Sequence, residues 1–119
     1  MSLHVRMRQA LPAAMRARDK VAVRALRATL AALDNAQAVP VGAAEPRGLS
    51  IEESPVGAGA TETVRRELSE GDMADIVRAE IAERLAAAGE LTSPAHADRA
   101  ALLHQEAAVL RRFLDEPAE

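Results

Sequence analysis

Residues 19–37 run DKVAVRALRATLAALDNAQ. Val23, Leu26, Leu30 and Leu33 recur in 3-4-3 steps, the period of one face of an α-helix rather than the alternation of a strand. Asp19 stands where a carboxylate can accept from the unpaired N–H groups of a first helical turn. Pro40 and Gly42 close the segment. On a flank of the seam, Lys20, Arg24 and Arg27 fall within an arc of roughly 60°, at ~100° of rotation per residue. The spacing therefore predicts a helix that is apolar along one stripe and cationic along another.

Toward the N-terminus, Leu3, Met7, Leu11 and Met15 repeat every fourth residue, with Ala10 and Ala14 beside them. This is a second helical stripe, and Ser2 can cap its start. Pro12 interrupts it: an internal proline removes one hydrogen bond and crowds the carbonyl of Arg8, so a kink or two short helices are expected. Past the second helix the pattern breaks. Residues 40–67, PVGAAEPRGLSIEESPVGAGATETVRRE, hold four of the six Gly and three of the six Pro. That reads as a flexible linker, well beyond the ~2–8 residues usual between bundle helices.

Helical order returns at Ser69, which with Asp72 resembles a capping box. Met73, Ile76, Val77, Ile81 and Leu85 form the expected buried stripe, and Gly89 is a plausible stop. Ser93-Pro94 opens a fourth helix, with Leu102, Leu103, Leu110, Phe113 and Leu114 as its apolar set. The pairs Glu80–Arg84, Arg111–Asp115 and Arg112–Glu116 are spaced i, i+4, and Arg78 can reach Asp75; all four pairs are expected on solvated faces. The expected fold is all-α: one domain over residues 1–119, with helices at about 3–18, 20–39, 70–88 and 94–115. These form two antiparallel hairpins joined by the long loop.

Composition agrees. Of 119 residues 49% are apolar, but 28 are alanines and only Phe113 is aromatic. Too few bulky side chains remain to stack two sheets, whereas Ala, Leu, Arg and Glu favour helices. The absence of Cys excludes disulfides, thiolate metal sites and a cysteine nucleophile. No stretch approaches the ~18 apolar residues of a bilayer span, and no signal-peptide core is present, so a cytoplasmic protein is expected. Residues 1–39 carry seven cations against two acids, whereas the remainder is acidic and the whole chain is −3. Such asymmetry marks either a nucleic-acid face or a basic hairpin packed on an acidic one.

Few residues offer chemistry. His4, His96 and His104 include no i, i+4 metal pair and read as surface histidines. Ser2, Ser50, Ser54, Ser69 and Ser93 lie near helix starts or in the linker, outside any nucleophile elbow. Gly57-Ala58-Gly59 lacks the third glycine of a dinucleotide loop. Glu52-Glu53 and Glu80/Glu83 read as hydrated acids. No catalytic residue, cofactor or metal is expected. The one binding candidate is Lys20, Arg24 and Arg27, able to neutralise phosphates but with no aromatic platform nearby for bases. Pairing of these cations with acids of the third and fourth helices is the bland alternative.

The sequence SLHVRMRQALPAAMRARDKVAVRALRATLAALDNAQ (residues 2–37) resembles the start of the GatB/YqeY domain family. It shares the Ser-Leu opening, Ala14-Met15, Ala17 and Asp19-Lys20 at the turn, Leu26-Arg27, and Asn35-Ala36 near the end of the second helix. Residues 76–114 are similar to the family's Glu-rich third helix and its E-x-x-x-L-x-x-(F/Y)-L helix, here Glu106 to Leu114. The resemblance implies a helical domain like the C-terminal tail of the GatB component of the glutamine-dependent aspartyl/glutamyl-tRNA amidotransferase, associated with tRNA and not with the chemistry. Stand-alone members carry the label of carbon–nitrogen ligases with glutamine as amido donor. Glutaminase and ATP-dependent activation need a nucleophile and phosphate ligands, which this chain does not offer. The resemblance thus implies a non-catalytic adaptor for tRNA or an amidotransferase subunit; a protein-interaction module with no nucleic-acid role is the alternative.

Overall fold

A computed structural model describes residues 1–38 and 67–116. Apart from Glu67, the linker expected over 40–67 lies outside the described residues, as do Ser50, Ser54, Glu52, Glu53 and the segment 57–59. The described chain is all-α: α1 (Leu3–Arg16), α2 (Lys20–Ala38), α3 (Glu70–Glu90), a single 3-10 turn (Pro94–His96) and α4 (Ala97–Asp115).

The ends of the helices follow from short polar side chains. Ser2 Oγ accepts from Val5 N at 3.1 Å and Asp19 Oδ1 from Ala22 N at 3.0 Å. The Ser69–Asp72 capping box is complete, with Ser69 Oγ accepting from Asp72 N at 3.0 Å and Asp72 Oδ2 from Ser69 N at 3.2 Å. Ser93 caps the 3-10 turn instead of starting α4 directly. Gly89 does not stop α3, which runs one residue further to Glu90. Nor does Pro12 divide α1: the helix is a single run, and both Pro12 and Arg8 are exposed, so water can satisfy the carbonyl that proline leaves unpaired.

α1 packs on α2, α3 on α4, and the two pairs meet chiefly through α2 against α4. Between them lie Leu3, Met7, Leu26, Leu30, Leu33, Met73, Val77, Ile81, Val109 and Leu110, with Ala22, Ala25 and Ala107 filling the close approaches. Leu26, Leu33 and Leu110 are almost wholly buried, each worth ~1.5–3 kcal/mol of hydrophobic stabilisation. Burial on α3 and α4 is concentrated at the ends that face the first pair. Leu85 and Leu102, expected in the core, are therefore exposed at 36% and 40%, because toward the tip of the second pair α3 and α4 are covered mainly by each other. Met15 is exposed too, and Val23 is only half-buried, since Ala22, Ala25 and Thr29 turn inward beside Leu26, Leu30 and Leu33.

Candidate nucleic-acid interface

Between α1 and α2 there are only three residues, Ala17, Arg18 and Asp19. Arg18 N donates to the Met15 carbonyl at 3.1 Å and Asp19 N to the Ala14 carbonyl at 3.0 Å. This is the paired hydrogen bonding of a Schellman stop, which needs a left-handed residue and usually takes glycine. Here the residue is Arg18, with φ of 59°. An arginine held in that conformation costs about 1–2 kcal/mol relative to glycine.

The strained residue borders a charged concavity. Arg18, Lys20, Arg24 and Arg27 line one open groove of about 690 Å³ together with Met15, Val23 and Ala28. Among the described residues, no acidic side chain lines it. The three cations singled out from the sequence are thus brought together, and the structure adds Arg18 and an apolar wall that sequence reasoning missed. Arg27 Nη2 approaches Met15 Sδ to 4.0 Å, so the cationic and apolar parts adjoin. Among the described residues, neither Lys20 nor Arg27 has an acidic partner within 4.0 Å. Arg24 does: its Nε lies 3.8 Å from Glu106 Oε2 while its side chain stays 65% exposed.

Glu106 is buried and belongs to an ionic cluster, with part-buried Arg84 and Glu80, that the sequence pattern places wrongly. Glu80–Arg84 is expected on a solvated face, yet the Arg84 side chain is only 10% exposed and Glu80 18%. Arg84 Nε donates to Glu106 Oε1 at 2.8 Å, and its Nη1 to Glu80 Oε1 at 2.9 Å and the Glu80 carbonyl at 2.8 Å. Burial pulls the Arg84 guanidinium down; the hydrogen bonds to Glu106 and Glu80 outweigh that and hold it above the ordinary arginine value. A second concavity of about 370 Å³ lies over this cluster, shares Arg24 and Ala28 with the first, and adds Glu80, Glu83 and Glu106. Its acids set a limit to the cationic surface on that side.

The other charged pairs fall differently. Arg78–Asp75 forms at 2.8 Å, as expected. Glu116 lies 3.6 Å from Arg6 of α1, and among the described residues no ion pair forms for Arg111–Asp115 or Arg112–Glu116. His4 is not on the surface: it is 6% exposed, with Nε2 3.1 Å from Asp34 Oδ1. Arg8 Nη2 lies 3.2 Å from the same nitrogen. One ring nitrogen cannot donate to Asp34 and accept from Arg8 together, and the carboxylate, an acceptor only, takes the proton-bearing form. His4 thereby ties α1 to the end of α2. His96 and His104 are exposed.

Among the described residues no group of three or more His, Asp or Glu is placed to hold a metal ion, and no helix is long and apolar enough to cross a membrane. Comparison with protein families, curated proteins and solved structures returns no match.

Proposed function

We propose that this chain is a non-catalytic helical domain of the GatB/YqeY type that binds tRNA through the groove at the start of α2. One observation carries the reading: four cations from the α1–α2 turn and α2 converge on a single concavity with no acid among its described lining residues. Such a surface gains affinity for phosphates by releasing their counterions. The resemblance over roughly residues 2–39 and 68–115 supplies tRNA as the partner. An amidotransferase subunit is the other partner the resemblance suggests. The net charge of −3 favours a second reading, a protein-interaction module without an RNA role.

Filter binding of tRNA across a salt series separates the two. Phosphate contacts predict retention that falls steeply with salt, and K20Q/R24Q/R27Q is expected to flatten the slope of log affinity against log salt by about 0.9 for each phosphate no longer neutralised. Its melting temperature should hardly move: among the described residues Lys20 and Arg27 have no acidic partner, and Glu106, which Arg24 approaches only to 3.8 Å, keeps Arg84 at 2.8 Å. A triple variant that melts far lower yet retains tRNA as before removes the site, and no retention of the native protein at low salt removes the RNA reading.

A further inference from the structure

A face that only neutralises phosphates needs cations and nothing else. This groove has more. Met15 is 48% exposed, and it stands in the last turn of α1 beside Val23 and Ala28, so that apolar surface and cations share one groove. The Arg27 guanidinium lies against the Met15 thioether, and Arg24 lines the same space. Cation and apolar surface alternate over the distance of a few ångströms. A ligand that satisfies both presents an apolar or weakly polar surface next to an anion.

An unpaired nucleotide does this; a base-paired one does not. In an A-form duplex the base faces are stacked inside and the outer surface offers phosphates and ribose, so the apolar wall would stay wet. In a single strand the base is free to lie against aliphatic carbon and against guanidinium planes, which replace aromatic rings as stacking surfaces. We infer that the Met15–Arg27 groove selects unpaired RNA nucleotides, the base covering Met15 and Val23 and the adjoining phosphates meeting Arg18, Lys20 and Arg24. This rests on the RNA-binding reading and narrows it to one structural class of RNA.

Simple electrostatics predicts the opposite preference. A duplex carries the higher charge density, and its salt slope per contact, ~0.9, exceeds the ~0.7 of a single strand. A purely cationic face therefore prefers the duplex, and the reverse order of affinities reports the apolar wall. Fluorescence anisotropy with a labelled single-stranded RNA oligonucleotide, alone and annealed to its complement, tests this on the full chain. The single strand is expected to bind more tightly. Met15→Gln, which keeps length and helix propensity, should weaken it about fivefold, as loss of half a methionine's apolar contact implies, and leave duplex binding unchanged. Met15→Ala should do the same without adding a polar group, and a thermal melt checks that each variant is folded.

Equal or tighter binding of the duplex overturns this inference while leaving the RNA reading in place. Competition by polyglutamate as effective as that by unlabelled single strand at equal charge also overturns it, and favours the protein-interaction reading over the RNA one. Binding of neither RNA overturns both.

Discussion

Replacing Arg18 by glycine separates strain from charge at one position. The left-handed backbone at φ 59° costs a non-glycine residue about 1–2 kcal/mol. Glycine removes that cost but gives the unfolded chain more freedom, worth about 0.5–1 kcal/mol in the other direction. The net expectation is a gain of about 0.5–1 kcal/mol, or a rise in melting temperature of roughly 2–6 °C for a domain of this size. Binding should move the opposite way: R18G loses one groove cation, so tRNA affinity falls and the salt slope drops by about 0.9, or ~0.7 on a single strand. Differential scanning fluorimetry and the salt titration measure the two on one preparation. Arg18→Lys is the control, keeping both the strain and the charge, and should change neither quantity much. If R18G is more stable and binds tRNA as the native protein does, Arg18 is an unrelieved strain with no part in the interface. If R18G is less stable, the strain at Arg18 is smaller than the freedom that glycine adds to the unfolded chain, and the reasoning from strain fails.

Arg84→Met should be the most damaging of the substitutions, because it leaves buried Glu106 and part-buried Glu80 without their shared partner; loss of one side of a fully buried pair costs ~3–5 kcal/mol, and a cost of about 2–3 kcal/mol is expected here since Glu80 is partly solvated and Arg24 still reaches Glu106. R84M/E106L should recover much of that in a urea melt, as apolar replacement of a whole buried pair is often neutral. Because Arg84 is raised in the fold, its contribution is complete below the unfolded pKa and is lost only as pH climbs past the folded one. The stability difference between native protein and R84M should accordingly stay constant from about pH 7 to about pH 10, both below the ordinary arginine value, and a steady decline over that interval would contradict the buried pairing. Ser69→Ala removes one half of the capping box and should cost ~1 kcal/mol in the same urea melt; an unchanged midpoint would show that the start of α3 is held by packing alone.

What could be read from the sequence was whatever depends on neighbours along the chain. Ser2, Asp19 and Ser69 cap because the residue they serve is three positions away, and the α2 seam at Leu26, Leu30 and Leu33 is buried because helical period fixes which side chains share a face. Features decided by a distant helix were not legible. Leu85 and Leu102 match the apolar period but lie where the second helical pair covers itself, and no local pattern reports the extent of a neighbour. Thr29 and Glu106 are buried although their residue types argue for the surface. For Arg84 the i, i+4 spacing correctly pairs it with Glu80, but the depth of that pair is set by Glu106, 22 residues on.

The groove shows the same division. Its three α2 cations are evident from azimuth alone, whereas Met15 fits the spacing of a core stripe and nothing local sets it apart. The sequence does not mark Arg18 either: helical spacing carries the first helix to about residue 18, whereas the structure ends α1 at Arg16 and puts Arg18 in the left-handed position of a three-residue turn, ARD, that holds no glycine. A turn that short could be relieved by a single substitution, and in this chain it is not. The cation held under strain is the one that extends the α2 row to the end of α1, beside the exposed methionine. Arg24 closes the row on the other side, where Glu106 holds it at 3.8 Å with about two-thirds of its side chain still open to solvent. A fully committed structural arginine, such as Arg84, keeps only 10% of its side chain exposed and makes three hydrogen bonds. The contrast between these two arginines, which share one carboxylate, is the physical argument that Arg24 belongs to the surface of the groove and Arg84 to the frame beneath it.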